Sequence, residues 1–122
     1  MSFKDLQEKY KTARKKYKNV EVKYLRELNQ YDDLLEKDLE KYADIDMELR
    51  KKYGVDELFM ELIGVEEELI EKGKNVLYKT KEFQQLPQSE QEQIRRVLED
   101  KSLLRFRNIR EKVLNILANW GI

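Results

Sequence analysis

In FKDLQEKYKTARKKYKNVEVKYLRELNQY, residues 3–31, an aromatic ring returns at every seventh position: Phe3, Tyr10, Tyr17, Tyr24 and Tyr31. Three residues after each stand Leu6, Ala13, Val20, Glu27 and Leu34. These are the a and d positions of a heptad helix, with only Glu27 out of character. Beyond Tyr31 the phase slips, and the stripe continues as Leu28, Tyr31, Leu35, Leu39, Tyr42, Ile45 and Leu49. The four-residue steps from Tyr31 to Leu35 to Leu39 act as a stutter, which locally relaxes a supercoil.

Residues 2–52 contain neither Gly nor Pro, Ser2 is placed to cap a helix, and Gly54 follows Lys51-Lys52-Tyr53 as a stop. A continuous helix over this span would be about 75 Å long, at 1.5 Å per residue. The alternative is a break near Asn29–Asp33, where the heptad phase changes. A helix of that length needs a partner for its stripe. The expected self-association seam is Phe3, Leu6, Tyr10, Ala13, Tyr17, Val20, Tyr24, Leu28, Tyr31 and Leu35.

Residues 56–72 are expected to form a second helix, capped by Asp56 and ended by Lys72-Gly73. Its apolar face is wide: Leu58, Phe59, Leu62, Ile63, Val65, Leu69 and Ile70. Gly64 within it suggests a bend or a close helix crossing. Residues 74–83 read as a short third helix or a continuation past Gly73. Gln84–Gln88, with Pro87, reads as a loop, and Ser89-Glu-Gln-Glu92 as a capping box. The last helical region runs to Trp120, with Asp100–Ser102 able to divide it and Gly121 to end it. Its apolar side is Ile94, Val97, Leu98, Leu103, Leu104, Phe106, Ile109, Val113, Ile116, Leu117 and Trp120, the last expected to seal the bundle end. No strand alternation appears. The expected fold is all-α, with a coiled-coil-like arm over 1–53 and a bundle of three or four short helices over 54–122.

Composition agrees with long helices. Of 122 residues 41% are charged, and there are four Gly and one Pro. Twelve aromatic residues and many aliphatic ones argue against disorder. The chain has no Cys and no His, which excludes disulfides, thiolate or imidazole metal sites, and Cys or Ser–His nucleophiles. Four scattered glycines cannot build a phosphate loop. No apolar run has the length of a signal peptide or a membrane span, so a cytoplasmic protein with no membrane contact is expected. No cofactor and no metal is expected.

Lys+Arg and Asp+Glu are each 25, yet the charge is unevenly placed. Residues 1–24 carry a net +5, residues 25–72 a net −9 and residues 95–122 a net +4. In one long helix this order opposes the macrodipole. An antiparallel homodimer would set the basic half of one arm against the acidic half of another. The rival arrangement is intramolecular, with the basic C-terminal helix against the acidic middle, and the plainest is a solvated polar face.

Three function classes follow. The first is a non-enzymatic interaction or adaptor protein that self-associates through its N-terminal helix and meets a further protein partner. Accessory proteins of viruses or mobile elements, assembly adaptors and regulatory subunits share this profile. The second is a nucleic-acid-binding accessory factor. It would use Lys9, Lys11, Arg14, Lys15, Lys16 and Lys18 beside the tyrosines, and Arg95, Arg96, Lys101, Arg105, Arg107, Arg110 and Lys112, which also suit an acidic partner. On the C-terminal helix itself Arg96–Asp100 and Arg107–Glu111 have the spacing of ion pairs. The third is a metal-dependent nucleotide phosphohydrolase using the i, i+3 acidic pairs Asp33–Glu36 and Glu68–Glu71. The period of seven favours the first class, because helix–helix contact demands it and base stacking does not.

Overall fold

The structure, a computed structural model, describes residues 2–100, 102 and 105–120. It is all-α. The elements are α1 (Phe3–Leu28), a 3₁₀ turn (Asn29–Tyr31), α2 (Leu34–Lys37), α3 (Leu39–Tyr53), α4 (Val55–Leu77), α5 (Lys81–Gln84), α6 (Gln88–Glu99) and α7 (Arg107–Ala118). Leu103, Leu104, Gly121 and the candidate contact Lys101 lie outside the described residues.

The long N-terminal helix begins as its sequence demands. Ser2 Oγ accepts from the Asp5 N–H at 3.2 Å, and the Ser2 N–H donates back to Asp5 Oδ2 at 3.3 Å, a reciprocal cap. The helix does not run through to residue 52. It tightens into the 3₁₀ turn where the heptad phase slips, and it breaks at Asp38 (φ −156°, ψ 86°). Asp38 Oδ1 then accepts from the Lys41 N–H at 3.2 Å and starts α3. Gly54 stops α3 in the left-handed region (φ 64°, ψ 33°), its N–H reaching the carbonyls of Arg50 and Lys51.

Three local expectations are corrected. α4 starts at Val55, placing Asp56 inside the first turn, and of the two courses open to residues 74–83 it takes the continuation, past Gly73 to Leu77. Gly64 marks no close crossing, since a Cβ there would meet nothing within 4 Å. Gly73 does, because a Cβ there would run into the Leu117 side chain. Helix α6 starts one residue before Ser89, after Pro87, and Ser89 makes no side-chain cap. The turn is held instead by Gln91 Nε2, which donates to the carbonyls of Gln84 (3.0 Å) and Leu86 (2.9 Å). An unforeseen cap stands at Thr80, which accepts from the Phe83 N–H and donates to the Leu77 carbonyl.

The chain divides into two compact units. The terminal unit joins Met1–Lys11 to Gly64–Ile122, and the middle unit is Thr12–Ile63. The boundary at 53/54 read from the sequence falls inside the middle unit, because α1 and α4 each contribute residues to both. In the terminal unit Leu6, Leu69, Leu77, Phe83, Val113 and Leu117 are wholly removed from solvent. Burying a large aliphatic or aromatic side chain is worth about 1.5–3 kcal/mol each. Phe3 meets Trp120 edge-to-face at 5.2 Å, and Gln7 Nε2 donates to the carbonyls of Leu117 (2.7 Å) and Trp120 (3.0 Å). A buried Gln thus satisfies the Leu117 carbonyl in the last turn of α7, where the helix supplies no partner, and the Trp120 carbonyl just beyond it. The middle unit has a smaller core of Tyr24, Leu28, Leu49 and Val55, flanked by Tyr17, Val20, Tyr42, Ile45 and Tyr53.

Candidate interaction surface

The heptad stripe of α1 is covered by the protein's own chain. Leu6, Tyr10, Ala13, Tyr24 and Leu28 are buried. Phe3, Tyr17, Val20 and Tyr31 are half-buried, and Leu35 is exposed. The ten seam residues are therefore divided between the two units, Phe3, Leu6 and Tyr10 in the terminal unit and the rest in the middle unit, where Leu35 stands outside the core. A tyrosine suits such a position, since its ring fills the core while its hydroxyl reaches a polar group at the edge. Tyr17 meets Phe59 at 5.5 Å between ring centroids.

Two polar clasps hold α1 to α3 at that edge. In the first, the Tyr24 hydroxyl donates to Asp46 Oδ1 and accepts from Arg50 Nε at 3.2 Å. Arg50 also pairs with Asp46 Oδ2 at 3.2 Å and with Asp56 Oδ1 at 3.3 Å. Burial, then the Asp46 hydrogen bond, raises the Tyr24 hydroxyl above its usual pKa. In the second clasp Glu27, the misfit of the heptad, accepts from Lys52 Nζ at 2.9 Å and from the Tyr53 hydroxyl. Those two donors, Tyr53 first, hold the Glu27 carboxyl below the ordinary range, and Glu27 in turn raises Tyr53 and Lys52. A carboxylate at a d position is tolerated because α3 supplies both of its donors. Alongside lies an open recess of about 330 Å³ lined by Lys23, Arg26, Glu27, Gln30, Lys52 and Tyr53.

The middle unit leaves much apolar surface uncovered. Among the described residues Val22, Leu25, Leu35, Leu39, Met47, Phe59 and Met60 are exposed there, Leu39 at 65% and Met60 at 68%. In the terminal unit Val76 and Phe106 are the exposed large apolar residues among those described. Phe106, expected on the apolar side of the last helix, instead occupies the extended residue before α7.

The C-terminal cations are largely engaged within the terminal unit. Arg95 lies over the rings of Tyr78 (5.5 Å) and Phe83 (5.6 Å). Arg110 Nε donates to the buried Glu66 carboxylate at 2.8 Å, Lys112 pairs with Glu90 at 2.8 Å and Arg107 with Glu111 at 3.4 Å. Arg105 covers its neighbour Phe106. Arg96 is exposed, and Asp100 turns its carboxylate to Ser102 at 2.6 Å rather than to Arg96. On α1, by contrast, Lys9, Lys15, Lys16, Lys18, Lys23 and Arg26 make no ion pair among the described residues.

The acidic pairs Asp33–Glu36 and Glu68–Glu71 belong to different units. Among the described residues no group of three or more Asp or Glu could hold a metal ion, and no helix is long and apolar enough to cross a membrane. The chain matches no protein-family model, and neither a curated protein nor a solved structure shows significant similarity to it.

Proposed function

We propose that this protein is a non-enzymatic helical interaction protein that self-associates, acting as an assembly adaptor or accessory factor in the cytoplasm. One observation carries the reading: the middle unit, Thr12–Ile63, exposes seven large apolar side chains on an otherwise highly charged surface. So many exposed large apolar side chains in one small unit suit a surface on which another macromolecule sits. The uneven charge supports a second copy as that macromolecule, since a net +5 over residues 1–24 complements a net −9 over residues 25–72. Because the heptad stripe is occupied within the chain, association draws on the exposed side chains around Leu35, Leu39, Met47 and Met60. Sedimentation equilibrium tests this. A dimer of twice 14.9 kDa, weakened by salt, is expected at tens of micromolar. A mass of 14.9 kDa up to millimolar concentration overturns it.

A second reading rests on the cations of α1 that make no ion pair among the described residues. In the middle unit Lys15, Lys16, Lys18, Lys23 and Arg26 offer positive charge to a phosphate backbone. Its signature is binding of a random-sequence oligonucleotide that falls steeply with salt. No binding at low salt removes it.

A further inference from the structure

We propose that the second copy is engaged by exchange: residues 2–37 of one chain lie on residues 39–120 of another, with Asp38 as the hinge. This deepens the self-association reading and rests on it.

The backbone is right-handed helical at Leu28 (φ −64°, ψ −36°), Asp32 (φ −57°, ψ −31°) and Asp33 (φ −62°, ψ −24°). Asp38 leaves that region, and the cap on Lys41 that holds it there is exposed. A rotation about one residue therefore separates everything before Asp38 from everything after it. The contacts across that division are extensive and specific. In the terminal unit they are Phe3 on Trp120 and Gln7 on the end of α7. In the middle unit they are Tyr24 on Asp46 and Arg50, Glu27 on Lys52 and Tyr53, and Tyr17 on Phe59. Each can form between chains as well as within one, so exchange leaves these interactions unchanged, and the hinge and chain concentration set the balance.

The hinge itself favours opening. Leu35 and Leu39 flank Asp38 and are exposed in the closed chain, at 46% and 65%. Yet both continue the stripe of Leu28, Tyr31, Tyr42, Ile45 and Leu49, and 29–53 contains neither Gly nor Pro. If the segment straightens, α2 runs into α3 as one helix, and those two leucines join the seam and face the equivalent segment of the second chain. Exposed leucines in register with a buried and half-buried stripe are what a closed form of an exchanging helix presents. An independent docking patch would have no reason to keep that register.

The chain has no cysteine, which permits a direct test. Chains carrying Glu27→Cys and chains carrying Lys52→Cys are mixed unfolded, refolded together at high concentration and treated with a short bismaleimide. Exchange predicts covalent dimers linking Glu27→Cys to Lys52→Cys well above either like-with-like product. Asp38→Ala, which removes the cap, is expected to raise the dimer association constant at least about fivefold. Should sedimentation show dimers while the mixed cross-link does not exceed the like-with-like background, the chains associate without exchange and the proposal is overturned, though self-association stands. An unchanged association constant in Asp38→Ala also overturns it. Were no dimer to form in any variant, both would fall.

Discussion

The two units of this chain are built to different standards. In the terminal unit Leu6, Leu69, Leu77, Phe83, Val113 and Leu117 have no solvent exposure, and its cations Arg95, Arg110 and Lys112 are drawn into contacts of its own. In the middle unit the buried apolar residues keep 6–7% exposure, and seven large apolar side chains stand in solvent. The first is a closed core. The second relies on a few rings and two tyrosine–carboxylate–cation clasps, and it is expected to open at lower free energy than the first. Under the proposed self-association, the middle unit would be the one that associates and the terminal unit the one that holds it.

The largest effect is expected at the closed core. Phe83→Ala should cost about 3–5 kcal/mol, read from chemical denaturation, because a wholly buried ring leaves a cavity. Leu49→Ala in the middle unit should fall at or below the low end of the usual range, about 2 kcal/mol, since its neighbours can relax toward solvent. Equal costs would erase the difference between the units.

The two glycines of α4 sharpen it further. Gly73→Ala should destabilise by about 1–2 kcal/mol, as its Cβ meets the buried Leu117. Gly64→Ala on the same helix should stabilise by about 0.5–1 kcal/mol, having open space and better helix propensity. Thermal unfolding of the pair should show shifts of opposite sign.

A smaller effect is expected with pH. Tyr24 and Lys52, both in the middle unit, have raised pKa values in the folded state. Their contribution is fully present below their unfolded pKa values, near 10. It is lost as pH rises through the higher folded values, so the middle unit should loosen above pH 10, and Tyr78, raised by burial in the terminal unit, adds a loss of the same sign there. Hydrogen exchange extrapolated across that range should show it. Glu27 acts at the other end: its lowered pKa gives stability present above about pH 4.5 and lost as pH falls through the folded value. Tyr24→Phe should cost about 1 kcal/mol near neutral pH and reduce the alkaline loss. An alkaline transition unchanged in that variant would remove Tyr24 from the account.

Much of the architecture is legible in the sequence because it is local. The Ser2 cap, the Gly54 stop and the buried side of α1 follow from residues within a turn or two of one another. What the stripe of α1 packs against is not local. The match of Glu27 to Lys52 and Tyr53, or of Gln7 to the end of α7, depends on residues tens of positions away. Gly73 reads as a helix end until Leu117 is seen against it. The break at Asp38 is hidden for another reason: Leu35 and Leu39 continue a helical stripe across it, so periodicity alone argues for continuity. The charge pattern of the C-terminal region suggests a binding surface, and Glu66 and Glu90 reveal it as partly internal.

Hydrogen–deuterium exchange at low and at high protein concentration tests most directly whether the middle unit is the associating one. Protection should rise with concentration within Thr12–Ile63, most of all around Leu35 and Leu39, while α6 and α7 stay as they were. Protection that is independent of concentration, or that rises only in α6 and α7, would contradict it.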